Sequence, residues 1–411
     1  MRSTVIAISA LFLSAAFLFT GHGLQLALIP IAAANAGFSH VAIGFSWSGY
    51  TLGLMIGCLS VPRIIAAVGH IRAFAALGCA VAALLIAFSF FTDAKAWLVL
   101  RFLQGFMLAG VFIAVESWLN DKTANELRGV VLSSYSTLTL VMISLGQLSL
   151  TLFGPTDPRL FSLAAFLTLL AVIPVALTRA DAPKIAAKVK VDVNKLWTTS
   201  RVAVLGSVLV GLANSAFWGL GPVFGRAAGL SASELSLHLS VTIWGGAACQ
   251  WLMGRLSDRF DRRRVVAAAS FMAAGAGIAM TYSIDRSYAL LLAASFVFGA
   301  SSFSLSAICV AMAHDRARPG EFLETSGGLL FIFSVGSTLG SLLASTAMEL
   351  AGFKSLYLYT AVVHGVLALT ALGFSFARPA VPRAEKQEFR PLPQTSPEAL
   401  AIDPRSRKEP D

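Results

Sequence analysis

The sequence predicts an all-α membrane protein, with 12 transmembrane helices in two six-helix pseudo-repeat bundles. Three observations carry this. First, 56% of the 411 residues are hydrophobic and only 13% are charged, against roughly 25% charged in a soluble domain. No water-facing surface can be built from that composition, so the bilayer is the solvent. Second, the apolar residues gather into twelve stretches, each of about 20 residues, enough for a ~30 Å hydrocarbon core. Third, a faint internal repeat relates the first six stretches to the last six.

The stretches run over 5–30, 41–62, 71–91, 96–118, 129–153, 159–178, 202–224, 233–254, 265–283, 288–312, 325–348 and 355–377. The first imitates a secretory signal, but it outruns signal length and many spans follow, so it reads as a membrane helix. Residues 1–178 and 202–377 form the two bundles. The basic segment 179–201 links them, and the proline-rich tail 378–411, with seven of the chain's fifteen prolines, is expected to be disordered and cytoplasmic. The repeat has an offset of 192 early and 194 later. It pairs Pro30 with Pro222, Gly37-Phe38-Ser39 with Gly229-Leu230-Ser231, Gly105 with Gly299, Asp121 with Asp315, and Leu145-Gly146 with Leu339-Gly340.

The net charge of +10 resides in loops and tail. Five basic residues (Lys95, Arg159, Arg226, Arg286 and Lys354) fall in one set of alternating loops. The rest, Arg101 apart, fall in the other set and the termini. That asymmetry places both termini in the cytoplasm. No basic helix face or aromatic pattern suggests nucleic acid. Cys58, Cys79, Cys249 and Cys309 lie in apolar stretches without paired spacing and read as packing residues, with neither metal nor cofactor implied.

Between the eighth and ninth stretches stands Gly254-Arg255-Leu256-Ser257-Asp258-Arg259-Phe260-Asp261-Arg262-Arg263-Arg264. It reads as a tight basic loop, ending one helix near Gly254 and starting the next near Val265. The string resembles the loop signature of the major facilitator superfamily, with Asp261 in place of that family's second Gly. Its repeat counterpart, from Pro62 to Arg72, is degenerate, with Ala66 where the second copy has Asp258. In the fourth stretch, Arg101-Phe102-Leu103-Gln104-Gly105 resembles the family's fourth-helix motif. The end of that stretch, from Glu116 to Asp121, resembles the YcaD-like bacterial subgroup. The resemblance implies the major facilitator fold, a cavity between the halves near the midplane, and an inner-membrane transporter working by alternating access.

Candidate site residues follow. Arg101 and Gln104, one helical turn apart, face either a cavity or, for Arg101, the membrane interface by snorkelling. Glu116 is either a proton carrier or an interfacial partner of Arg128. His22 is either a proton site or a packing histidine. Gln25, Trp47, Tyr50, Gln147, Trp218 and Trp244 are candidates to line a pocket of mixed aromatic and amide character, and the repeat sets Asn214 opposite His22. Gly254, Asp258, Arg259, Arg262 and Arg263 form a candidate gating loop, in which Asp258 is expected to meet the N-terminus of a helix in the opposite half; the resemblance implies that this is the fifth helix, starting near Arg128. Glu321 and Glu324 are expected to meet Arg63 or Arg72, and His238 and Glu234 to lie at the membrane interface.

The expected partners are a small anionic or zwitterionic solute (from Arg101), protons and the lipid bilayer, and the chain is expected to be a monomer. The absence of a Walker sequence argues against an ATP-driven pump. Passive uniport is the alternative. A non-transporting membrane sensor would carry a soluble signalling domain, and a membrane-embedded enzyme would carry a clustered acid/base or nucleophile pair. Neither feature stands out, so the chain is not expected to be an enzyme.

Overall fold

The computed structural model describes residues 2–154, 157–177, 192–318, 320–377, 379–390 and 395–407. Among the described residues, twelve long helices follow in order. The first half holds α1 (Arg2–Asn35), α2 (His40–Val68), α3 (His70–Ala87), α4 (Ala94–Lys122), α5 (Arg128–Leu148) and α6 (Arg159–Ala176). The second holds α7 (Arg201–Ala227), α8 (Ala232–Arg259), α9 (Arg262–Ser283), α10, α11 (Phe322–Ala351) and α12 (Ser355–Ala377). Helix α10 has two segments, Tyr288–Ser302 and Leu305–His314, that break at Phe303 and Ser304. Among the described residues, eleven helices are long and apolar enough to cross a membrane. The other, α8, is as long but carries Glu234, His238, Gln250 and the charged end of the basic loop.

Polar caps at the helix ends satisfy backbone N–H groups that have no partner within the helix. Ser39 accepts from the Ala42 N–H at 3.1 Å, starting α2. Asp93 accepts from the Lys95 and Ala96 N–H groups at 3.0 Å, starting α4. Ser231 and Glu234 form a reciprocal capping box at the start of α8. The repeat is visible in this chemistry. Gly37 and Gly229 turn the chain at φ of 80° and 78°, a region that favours glycine, and each lies two residues before its capping serine.

The repeat also fixes where helices touch. A Cβ on Gly105 would collide with the carbonyl of Tyr50, and one on Gly299 with that of Thr242. Gly146 meets the Thr20 carbonyl, and Gly340 that of Leu212, in the same way. Each pair of contacts is related by the repeat offset. Bare backbone lets α4 close on α2, α5 on α1, and their counterparts in the second half follow suit.

Several expectations need correction. The basic string is mostly helical: α8 runs on to Arg259 and α9 starts at Arg262, leaving Phe260 and Asp261 as the turn. Asp261, the departure from the signature, caps α9 through the Arg263 N–H at 3.0 Å and binds the Arg263 guanidinium at 2.7 Å. The linker contains a helix, Val193–Thr199, capped by Asp192; residues 179–191 lie outside the described residues. The tail was expected to be disordered. Residues 379–390 and 395–407 instead pack against the bundle, with Ser396, Ala399 and Ile402 fully buried, because they find partners in both halves. The unordered reading of 391–394 and 408–411 falls outside the described residues.

Gly146→Val and Gly340→Val should each destabilise the fold by about 1–3 kcal/mol, since backbone on the facing helix cannot give way. Gly275→Ala, where nothing lies within 4 Å, should leave stability unchanged. Melting temperatures in detergent check this, and a wild-type value for Gly146→Val would contradict it.

Candidate substrate cavity and gate

The two halves meet closely on the face opposite the basic turn. There Arg226 bonds Asn35, and the His40 N–H donates to Glu349 at 2.9 Å. Deeper, Ser48 donates to the Thr338 carbonyl at 2.6 Å and pairs with Ser341 at 2.7 Å. Thr51 and Thr338 share a hydrogen bond at 2.9 Å. Gly44 is packed so tightly on Ser345 that a Cβ would not fit. Small residues recurring every three or four positions on α2 and α11 build this seal. That spacing was readable in the sequence but was not singled out.

Beneath the seal lies a cavity of about 260 Å³ between the halves. The walls are mixed. Trp47, Tyr50, Trp218, Phe303 and Phe333 supply rings, while Thr51, Thr139, Ser215, Ser337, Asn214 and Gln250 supply hydroxyls and amides. Trp218 stacks on Phe303 with ring centroids 5.5 Å apart. Among the described lining residues there is no Lys, Arg, Asp or Glu. His22 is the one lining side chain that titrates near neutrality in water, and its Nε2 lies 3.5 Å from the Tyr50 hydroxyl.

Arg101 sits behind this wall and is 2% exposed. Its guanidinium lies 4.5 Å from the centre of the Tyr50 ring and 5.5 Å from that of Trp47. It donates to Gln104 Oε1 at 2.9 Å, and Gln104 in turn donates to Gln25 Oε1 at 2.7 Å. The snorkelling alternative is excluded by this burial: the charge is held by amides and ring faces, as desolvation demands. Thus His22, Tyr50, Arg101, Gln104 and Gln25 form one chain of contacts, which the structure assembles from α1, α2 and α4.

Other candidates part company. Asn214 and Trp218 line the cavity. Trp244 is 42% exposed and faces outward, so it does not. Asn214 accepts from Ser302 at 2.8 Å, and Ser302 also meets His364 Nε2 at 3.0 Å, a polar link that the break in α10 brings to the wall. His238 is not interfacial: it is fully buried between Ser295 at 2.9 Å and the Tyr357 hydroxyl at 3.0 Å.

Glu116 is fully buried near the basic face. It accepts from Tyr135 at 2.9 Å and from Thr395 and Ser396 of the tail. Asp258 accepts from Arg262 at 3.0 Å and from the Phe389 N–H at 3.2 Å. The expected contact with the start of α5 is replaced by these. Arg262 bonds Asp315 at 2.7 Å and Ser257 at 2.7 Å, and Arg263 reaches the Phe374 carbonyl at 2.8 Å. Arg259 is exposed, and Gly254 is buried under the Phe389 ring. Glu321 and Glu324 pair with Lys195 of the linker at 3.1 and 2.7 Å, rather than with Arg63 or Arg72. Hydrogen bonds to Glu324 and Glu321 raise the Lys195 ammonium above its ordinary value.

The chain resembles known proteins along most of its length. A family model described as Major Facilitator Superfamily matches residues 203–406. The uncharacterized MFS-type transporter YcaD of Shigella flexneri serotype 5b is 27% identical over 359 residues, 84% of this chain and 90% of that protein. YcaD of Escherichia coli O139:H28 is 28% identical over 346 residues, 81% and 86% respectively. Among solved structures, the nucleoside transporter NupG superposes with a TM-score of 0.74 at 13% identity, covering 91% of this chain and 100% of that one. A bacterial homolog of the human lysosomal transporter Spinster, inward-facing and occupied, gives 0.74 at 15% identity, covering 94% and 98%. At such identities the structures speak for the fold. The family match and the sequence relatives support a major facilitator transporter of the YcaD-like group for this multi-pass membrane protein, and the solved structures agree in fold.

Proposed function

We propose that this protein is a proton-coupled secondary transporter for a small, neutral, ring-bearing solute, working by alternating access in the bacterial inner membrane with both termini cytoplasmic. The observation that carries the reading is the cavity between pseudo-symmetric halves, walled by rings and hydroxyls and free of Lys, Arg, Asp and Glu among its described residues. Aromatic faces favour a planar or sugar-like ring, and hydroxyls and amides orient its polar groups. Arg101 stands behind the wall and so gives the site no preference for an anion. The likeness to a nucleoside transporter fits a neutral ring-bearing solute, though only as a likeness of fold.

Alternating access is supported by the asymmetry of the contacts. Among the described residues, direct bonds between the halves concentrate on one face, sealing it, while on the basic face Asp258 bonds Arg262 and Phe389. Gly254, Asp258, Arg259, Arg262 and Arg263 lie on the part of the second half that would approach α5 as that face closes. The density of Lys and Arg makes this face the cytoplasmic one. Proton coupling is assigned to His22, which reaches the cavity and touches the Arg101 network through Tyr50, and to Glu116, the carboxylate buried within α4.

Neutral ring-bearing solutes should quench tryptophan fluorescence, and Trp47→Phe with Trp218→Phe should abolish the response. Quenching by anions alone would sink the neutral-solute reading. Gln104→Leu should cost about 1–3 kcal/mol, because it leaves buried groups of Arg101 and Gln25 unpaired; an unchanged melting temperature would argue against the network. In proteoliposomes, His22→Gln should flatten the pH dependence of transport, and retention of the wild-type profile would remove His22 from the coupling.

A further inference from the structure

On the basic face the two halves are joined through the chain's own tail. Residues 386–389 lie against the second half. Lys386 donates to the carbonyls of Ser257 and Phe260. The Gln387 N–H donates to Asp315 at 3.0 Å, and the Phe389 N–H to Asp258 at 3.2 Å. The Phe389 ring covers Gly254 so closely that a Cβ there would collide with it.

The next residues turn to the first half. The Arg390 guanidinium approaches Gly129 at the start of α5. Thr395 and Ser396 donate their hydroxyls to Glu116. Arg128 donates to the Ala401 carbonyl at 3.0 Å. Thr395 also reaches the wall of the central cavity. Asp258 and the start of α5, the groups that would meet if this face closed, are therefore both occupied by the tail, and they are occupied by different residues of it.

We propose that residues 379–390 and 395–407 of the C-terminal tail act as an intramolecular wedge, docked between the two halves on the basic face, which holds that face open and must leave before it can close. The burial supports docking over a passing contact: Ser396, Ala399, Ile402 and Asp403 are fully buried. The chemistry is specific as well. A buried carboxylate within a membrane helix needs donors, and the tail supplies two beside the one from Tyr135. Gly254 and Gly129, one in each half, leave room for adjacent tail side chains that any larger residue would displace. A docked tail therefore stabilises one of the two states of an alternating-access cycle, and it changes the population of the other by its binding free energy.

The test needs no substrate, so its outcome is separate from that of the transport reading. Cys58 lines a small cavity with Thr395 and Pro397 on this face. In a chain whose only cysteine is Cys58 (Cys79, Cys249 and Cys309 replaced by Ser), a bulky maleimide should react slowly. Ser396→Glu, which sets a second carboxylate on Glu116, and truncation after Ala377 should each speed the reaction about tenfold or more, as expected when a protecting segment is released. A synthetic peptide of residues 379–407 should slow it again in the truncated protein. Equal rates in the full and truncated chains would overturn the docking. For the wedge itself, spin labels at Leu127→Cys and Arg259→Cys in a cysteine-free chain report the gap between α5 and α8. Truncation should shift the distances shorter, and an unchanged distribution would overturn the wedge.

Discussion

The constraint on which everything else rests is the bilayer's intolerance of unpaired polar groups. It forces the backbone into helices, whose own hydrogen bonds satisfy it, and drives the capping residues to the two faces. It also sets the terms for polar side chains within the spans. Arg101 is bearable there because Gln104, Gln25 and two ring faces surround it. His238, Ser295 and Tyr357 form a closed set in the second half for the same reason. At the cavity wall, polar residues such as Thr139, Asn214 and Ser337 stand where a solute or water can meet them.

The two halves share a frame but not a chemistry. Their glycine crossings coincide: Gly105 with Gly299 and Gly146 with Gly340 touch equivalent carbonyls. The charged positions do not. Arg101 corresponds to Ser295, and Asp258 to Ala66, by the repeat. The first half thus holds the buried cation beside the cavity and the second holds the ordered cluster of Arg262, Asp258 and Asp315 at the basic face. A frame duplicated by backbone contact tolerates this divergence, because helix packing at glycine does not depend on what the neighbouring polar positions carry.

Much of the fold was legible in the sequence. Twelve long helices follow from the apolar stretches and the two-half division from the repeat, although among the described residues eleven of the helices are apolar enough to cross a membrane. Span ends were less legible: the basic string looked like a loop because it is charged, yet charge at the water boundary is compatible with helix, and α8 carries it to Arg259. The tail was misread for a related reason. Its prolines and mixed charges predict disorder when the segment is judged alone, and composition cannot register partners such as Glu116, Asp258 and Gly254 that lie far away in sequence.

For the candidate site, residue type identified His22, Gln25, Arg101, Gln104, Asn214 and Trp218 as polar or aromatic groups that a membrane helix must explain. Which of them face the cavity was decided by the rotation of each helix. That rotation leaves Trp244 on the outer surface and puts Arg101 one layer behind Tyr50. The sequence by itself therefore determined the solvent, the succession of twelve long helices, the pseudo-symmetry and the list of residues needing partners, since these depend on hydropathy and local spacing. Only the tertiary structure decided who the partners are, that the described cavity wall holds no Lys, Arg, Asp or Glu, and that residues 379–390 and 395–407 find partners in both halves. Those are relations across long separations in the chain, set by how helices close on one another through bare backbone.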